Sequence, residues 1–399
     1  MGITARFALV ALTAAVVAAF GVAPAGAAYP GSNGLIAFVT TRAGFPEIYT
    51  VNPANGAERN LSNGNAESDP AWNPFGTKIA FASEGDIWVM KANGTGRVDL
   101  TATGGHGDAQ PTWSPDGKKI AFASDRETSG RPQIYVMNAN GSNVVRRTND
   151  AGDDTDPQWS PDGKHILFVS DVTGNEDIWS MRANGGAPTD LTNDVHSDDE
   201  PSWSPDGSLI VFRSGRPHPG SVGEDLWIMR ANGSAPVAFV HESNGYSDGA
   251  HPAFSPAGGE IVFTANDGAG SAQLWAVPAG GGENARVTND SGQPSNIAAD
   301  WQPIVPAPTL KMRPHSGSTG TVVKVTGAGF APGEHVRVTF KDSDGTLTAH
   351  PLVTADGTGG FKTTLAVPAG AAAGKATIAA IGNTSGLSAR KAFTVTPPI

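Results

Sequence analysis

Apolar residues come in short bursts separated by turn residues, and the bursts repeat. One unit recurs as Ile36-Ala-Phe38, Ile79-Ala-Phe81, Ile120-Ala-Phe122, Ile166-Leu-Phe168, Ile210-Val-Phe212 and Ile261-Val-Phe263, at spacings of 43, 41, 46, 44 and 51 residues. Each is followed by an apolar-aromatic pair: Ile48-Tyr49, Ile87-Trp88, Ile134-Tyr135, Ile178-Trp179, Leu226-Trp227 and Leu274-Trp275. Five are preceded by Pro-x-aromatic, at Pro70-Ala-Trp72, Pro111-Thr-Trp113, Pro157-Gln-Trp159, Pro201-Ser-Trp203 and Pro252-Ala-Phe254. Runs this short, rich in β-branched and aromatic residues, predict strands. A unit of roughly 40–50 residues holding four such strands is the signature of a β-propeller blade.

The turns fit that reading. Ser114-Pro115-Asp116-Gly117, Ser160-Pro161-Asp162-Gly163 and Ser204-Pro205-Asp206-Gly207 put Pro where a tight turn wants its fixed φ, with Gly two residues on. Asn-Gly pairs at Asn93-Gly94, Asn140-Gly141, Asn184-Gly185 and Asn232-Gly233 predict hairpins after the third strand of each unit. The first copy has no aromatic leading strand ahead of it. One appears late instead, at Ala298-Ala-Asp-Trp301-Gln-Pro303, so this strand is expected to complete the first blade and close a six-bladed ring. All nine Trp fall at two repeat positions, which predicts filling of the wedges between blades rather than a sugar-stacking platform.

The pattern changes after residue 304. Residues 305–308 form a Pro-rich, stiff linker, and 309–399 hold five to seven short apolar runs. These predict a small immunoglobulin-like β-sandwich. The fold class is therefore all-β, a propeller over 28–304 followed by the sandwich. Residues 1–27 carry Arg6, an apolar stretch from Phe7 to Val22 and a small-residue site at Ala25-Gly26-Ala27, the pattern of a cleaved secretory signal. With no cysteine in the chain, lipoprotein anchoring, disulfides and thiolate chemistry are excluded. The mature protein is expected to be secreted or periplasmic, monomeric and outside the bilayer.

Composition then narrows the partners. Only 16% of residues are charged, and 51 Gly and 30 Pro make up about a fifth of the chain, which suits many turns. Residues 309–399 contain nine of the 27 bases and four of the 38 acids; with Arg6 in the leader, the propeller keeps 17 bases against 34 acids. So acidic a disc does not bind nucleic acid.

The unit from Asp156-Pro-Gln-Trp159-Ser-Pro-Asp-Gly163 through Ile166-Leu-Phe168, Ile178-Trp179 and Asn184-Gly185 to Leu191-Thr192 strongly resembles the TolB-type propeller repeat. The resemblance covers residues 34 to about 303 and implies a six-bladed propeller that binds partner proteins of the bacterial envelope. TolB carries a separate domain before its propeller and no immunoglobulin-like domain after it. The resemblance therefore implies a TolB-like propeller, not a role in the Tol–Pal system. Gly327-Ala-Gly329-Phe330-Ala-Pro332-Gly333-Glu334 resembles a turn segment of bacterial immunoglobulin-like surface modules.

The acids of the propeller are ordered. Five residues before each leading aromatic stand Glu67, Asp108, Asp154, Asp198, Gly249 and Asn296; three before stand Asp69, Gln110, Asp156, Glu200, His251 and Ala298. Since the leading strand of a blade is innermost, both sets are expected at the mouth of the central channel. Gathered carboxylates attract cations. The expected site is thus an acidic funnel of Glu67, Asp69, Asp108, Asp154, Asp156, Asp198, Glu200 and His251, binding a basic peptide or protein partner, or Ca²⁺ with Asp156 and Glu200 as candidate ligands. Asp in such loops also caps turns, and that reading stands beside the first. The longer stretches Ser214 to Asp225 and His241 to Ala250 break the repeat and are candidates for selectivity.

Catalytic patterns are weak. No Gly-x-Ser-x-Gly elbow occurs, and Gly382-Asn-Thr384-Ser-Gly386 has Thr in place of the nucleophile. His241-Glu242 lacks the second His of a zinc-protease helix. Of the propeller histidines only His106 and His251 approach the funnel. A non-catalytic recognition protein is the expectation. A polysaccharide lyase or hydrolase with a metal in the propeller is the alternative.

Overall fold

The computed structural model describes residues 32–62, 66–102, 105–127, 130–217, 224–240, 247–266, 271–288 and 295–397. The expected leader at 1–27 lies outside them. The described chain is strands and turns without a helix, and it divides into two compact units, 1–304 and 305–399.

The first unit holds six four-stranded antiparallel sheets among the described residues. Blade 2 shows the plan: leading strand Glu67–Trp72, then Lys78–Ser83, Asp86–Lys91 and the short outer strand Val98–Asp99. Leading strands of the next four blades are Asp108–Trp113, Asp154–Trp159, Asp198–Trp203 and Ser247–Phe254. Blade 1 is assembled from both ends of the unit. Ser32–Thr40 pairs with Asn296–Ile304, with Ile36 opposite Trp301 and Thr40 opposite Asn296, so the last strand supplies the missing leading one. Each leading strand contacts the leading strand of the next blade, and the sixth contacts the first, which closes the ring.

Turn chemistry sets the register. In blade 3 the Ser114 Oγ donates to Asp116 at 2.6 Å and accepts from the Lys119 N–H at 3.0 Å, while Gly117 takes φ 67°. The Asn-Gly hairpins do more than turn. A Cβ on Gly94, Gly141, Gly185 or Gly233 would stand within 2.4–2.6 Å of a carbonyl oxygen of the preceding blade, so glycine there permits close blade-to-blade contact.

The core lies between blades. Ile134 and Val136 of blade 3, for instance, bury against Trp159, Ile166 and Phe168 of blade 4. Leading-strand Trp72, Trp113, Trp159 and Trp301 are only 1–6% exposed, so the wedge reading of the Trp pattern describes them. Trp203 is the exception, left half-buried.

The second unit is a sandwich of a three-stranded and a larger sheet, closed around Val323, Val325, Val336, Val338, Phe340, Ile378 and Phe393. Its long strands, such as Val322–Ala328 and His335–Lys341, alternate exposed and buried residues as a two-layer fold requires.

Candidate functional site

Every leading strand is bulged at one shared place, and the pairings of Ser247–Phe254 and Asn296–Ile304 shift register at a second. In blade 2, Glu67 and Ser68 pair with Ser83 and Ala82, then the register shifts and Ala71 and Trp72 pair with Ala80 and Ile79. The residue in the bulge takes a left-handed conformation: Asp69 at φ 51°, Gln110 at 54°, Asp156 at 48°, Glu200 at 50°, His251 at 50° and Ala298 at 52°. Such a conformation costs a non-glycine residue about 1–3 kcal/mol, and it recurs only where surrounding structure imposes it.

The bulge delivers these six residues to the hub. They line a central cavity of about 160 Å³ together with the residues that follow them, proline in all but the closing strand, where Ala299 follows Ala298. Their side chains link neighbouring blades. Asp69 accepts from the Gln110 N–H at 3.4 Å, Gln110 accepts from the Asp156 N–H at 3.1 Å, and Glu200 accepts from the His251 N–H at 2.6 Å. Gln110 Nε2 also donates to Asp156 at 2.5 Å. Asp69 and Glu200 thus fasten the backbone of the following blade while lining the channel, rather than capping their own turns through these bonds.

Charge at the hub is lopsided. Glu200 faces His251 Nε2 at 3.1 Å and Arg213 Nε at 3.6 Å, and Arg213 is itself held by Asp199 and by Glu224 at 2.8 Å. Among the described residues no lysine or arginine forms an ion pair with Asp69 or Asp156. Burial, and then the charges of Glu200, Asp199, Asp69 and Glu176, push the Asp156 carboxyl well above its ordinary range. In the closing strand Asp300 accepts the N–H of Trp72 at 2.6 Å and of Trp301 at 2.9 Å, and burial lifts it to about 7. It joins Asp69, Asp156 and Glu200 in lining the cavity.

The other four expected funnel residues are elsewhere. Glu67, Asp108, Asp154 and Asp198 are 0–2% exposed and do not line the channel. Both sets were expected at the channel mouth because the leading strand is innermost; the bulge between them breaks the alternation that puts residues two apart on one face. Three of the four meet a guanidinium: Arg97 pairs with Glu67 at 2.7 Å, Arg126 with Asp108 at 2.8 Å, and Arg216 with Asp198 at 2.7 and 2.9 Å. Each arginine lies over an aromatic pair of its blade: Arg97 over Phe81 and Trp88, Arg126 over Phe122 and Tyr135, Arg216 over Phe212 and Trp227. In blade 1 Arg42 lies over Phe38 and Tyr49 and reaches Asn296 at 3.4 Å. These stacks fasten the buried carboxylates within the ring. For Arg42, Arg126 and Arg216 the signal was in the chain as Thr40-Thr-Arg42, Ser124-Asp-Arg126 and Ser214-Gly-Arg216 behind the second strand, whereas Arg97 comes from the hairpin after the third.

Blade 4 breaks that series. Ser170-Asp-Val172 puts a 40% exposed valine where blades 1, 3 and 5 carry arginine. Asp154 stays fully buried, and neither carboxylate oxygen finds a hydrogen-bond donor of good geometry. Burial raises it to about 6, against the pull of the neighbouring Ser170 and Thr148 hydroxyls.

Asp156 and Glu200 share the channel, but no three His, Asp or Glu side chains take a metal-holding arrangement among the described residues. His106 is exposed on its loop, and His218 and His241 lie outside the described residues, as do 218–223 and 241–246 of the two repeat-breaking stretches. No helix of the described residues is long and apolar enough to cross a membrane.

The fold and its hub thus define a six-bladed propeller of short bulged repeats followed by an immunoglobulin-like domain. Known proteins agree. Residues 68–169 and 147–222 match the TolB β-propeller domain, and 307–395 match a macroglobulin-like domain. TolB from Acinetobacter baumannii is 26% identical over 69% of this chain and 68% of its own, with a TM-score of 0.59. The putative TolB from Agrobacterium tumefaciens is 21% identical over 68% of this chain and all of its own, with a TM-score of 0.53. Hydrazine synthase from Kuenenia stuttgartiensis shares the fold alone, at 11% identity, 92% and 68% coverage and a TM-score of 0.55. No curated protein matches. The chain is a TolB-like β-propeller repeat protein with a C-terminal immunoglobulin-like domain.

Proposed function

We propose that this chain is an exported, non-catalytic recognition protein whose propeller takes a basic segment of an envelope or extracellular protein at the mouth of its central channel. One observation carries the reading: among the described residues Asp69 and Asp156 face the cavity with no lysine or arginine paired to them, and burial, then the neighbouring carboxylates, lifts Asp156. A lysine or arginine from a partner entering there would relieve like-charge repulsion already built into the ring. Rigid inner strands hold the carboxylates in place, so little ordering cost falls on binding. TolB neighbours with the same fold support a protein-binding scaffold. Calcium would compete for the same carboxylates, Asp156 and Glu200 first, without being required.

The test is calorimetric titration of the mature chain with oligolysine, with oligoglutamate as control, against the D69N/D156N/E200Q variant. Saturable binding that weakens with salt and falls at least about tenfold in the variant is expected. Equal binding by both proteins refutes the channel. Turnover of cell-wall or pectic oligosaccharides by the wild type, with Ca²⁺ or Mn²⁺ present, would replace this reading with the lyase or hydrolase one.

A further inference from the structure

The ring carries a second concavity, unrelated to the channel, at the seam of blades 4 and 5. It encloses about 520 Å³ and is lined by Ser160, Asp162, His165, Ser180, Trp203, Asp206 and Asn232, with small turn residues between them. One position of the third strand contributes to it; blades 1 and 6 carry Thr50 and Ala276 there. Blades 2, 3 and 5 carry Val89, Val136 and Ile228 there, and Val136 packs on the next blade's Trp159. Blade 4 carries Ser180 instead, within its strand Asp177–Arg182. Beside it Trp203 is half-buried, whereas the other four leading-strand tryptophans are covered.

The lining mixes what a polyhydroxylated ring needs. Trp203 offers an aromatic surface for the C–H face of a pyranose. The Ser180 hydroxyl and the His165 ring make no hydrogen bond within the described protein, and Asn232 uses only its carbonyl, toward Ser234. Asp206 accepts from Ser204 and Ser208 through Oδ1, which leaves Oδ2 open. Asp162 accepts from Ser160 and pairs with Lys164 at 3.1 Å. Donors and acceptors thus surround one aromatic surface in a cleft of ligand size.

We propose that this groove is a saccharide subsite for neutral or amino-bearing pyranoses, with Trp203 as the stacking platform and Ser180, His165, Asp206 and Asn232 reaching the hydroxyls. Acidic sugars are excluded by charge. Hydrogen bonds from Ser160 and Lys164 hold Asp162 at about 2, and those from Ser204 and Ser208 hold Asp206 low, so both stay ionised across the physiological range. A uronate would face two fixed negative charges on an already acidic disc.

The experiment titrates the mature chain with cellotetraose, chitotetraose and tetragalacturonate, read by tryptophan fluorescence and calorimetry. At least one of the two uncharged sugars should bind saturably, and tetragalacturonate should not. Ser180→Val, which restores the residue of blades 2 and 3, should weaken binding by about tenfold or more with an unchanged melting temperature. Trp203→Phe, the residue blade 6 carries as Phe254, should weaken it too and serves if the first variant folds poorly. D156N/E200Q should bind the sugar as the wild type does, which keeps this site distinct from the channel. No binding of either uncharged sugar, uronate binding of equal strength, full affinity in both groove variants, or loss of affinity in D156N/E200Q would each overturn the proposal.

Discussion

Asp154→Asn is the most informative single change in the propeller. Asp154 begins the leading strand of blade 4 beside Gln133 and Thr148, and the same three positions at the closing seam are Asn296, Gln273 and Thr288. There the Asn296 amide donates to Gln273 Oε1 and to Thr288 Oγ1, both at 3.2 Å. At blade 4 the acceptors remain, with Gln133 Oε1 and both Asp154 oxygens lacking donors. An amide at 154 would supply the missing hydrogens and remove a buried charge. Lifting the carboxyl from 3.8 to about 6 corresponds to about 3 kcal/mol, at about 1.4 kcal/mol per pH unit. The sign follows from the folded state binding the proton more tightly than the unfolded chain. Wild-type stability from this group is highest below pH 4, falls as pH rises from 4 to 6, and is flat above. Asp150 and Asp171 face the same carboxyl and raise it further, while Val172 brings no compensating cation. Urea denaturation of wild type and D154N between pH 4 and 8 measures the difference. All nine tryptophans lie between Trp72 and Trp301, so their fluorescence reports the propeller alone. D154N should gain about 1–3 kcal/mol over wild type between pH 4 and 7. A constant difference across that range, or a variant less stable at pH 8, refutes the reasoning.

Two other substitutions probe the two units separately. Arg216→Met strands Asp198, which is fully buried, together with Asp194 on the same guanidinium, and should destabilise the propeller by about 3–5 kcal/mol in the same fluorescence assay. Glu334 in the sandwich is 1% exposed and accepts from the N–H groups of Ala331, Thr384 and Ser385 and from the Ser385 hydroxyl. Glu334→Ala should cost that unit about 3 kcal/mol or more, seen by calorimetry as a lowered transition with the tryptophan-reported one unmoved.

The ring was legible because its determinants are local and repeated. Pro-x-aromatic, Ile-x-Phe and the Ser-Pro-Asp-Gly and Asn-Gly turns each act within a few residues, and the unmatched strand at Trp301 gave away the closure. The hub was half legible. Asp69, Asp156, Glu200 and His251 line the channel, but Glu67, Asp108, Asp154 and Asp198 point into the seams. Alternation alone cannot reveal the reversal, since it depends on one left-handed residue per leading strand, and Asp, Gln, Glu, His and Ala all occupy that position. Three of the four arginine stacks were written in the chain as a recurring Ser/Thr-x-Arg behind the second strand, yet their meaning needs the aromatic pair that folding places beneath them. The seam groove could not be read at all. A lone serine in a strand means nothing until the neighbouring blade's Trp203 is seen beside it.

The pairing of Ser32–Thr40 with Asn296–Ile304 has a consequence for how the molecule comes into being. During synthesis five complete fans emerge in order, while the first waits with a bare edge until the final strand arrives. Assembly is therefore held back until nearly the whole disc is available, and a chain cut short before Asn296 would leave a sticky flank open to foreign strands.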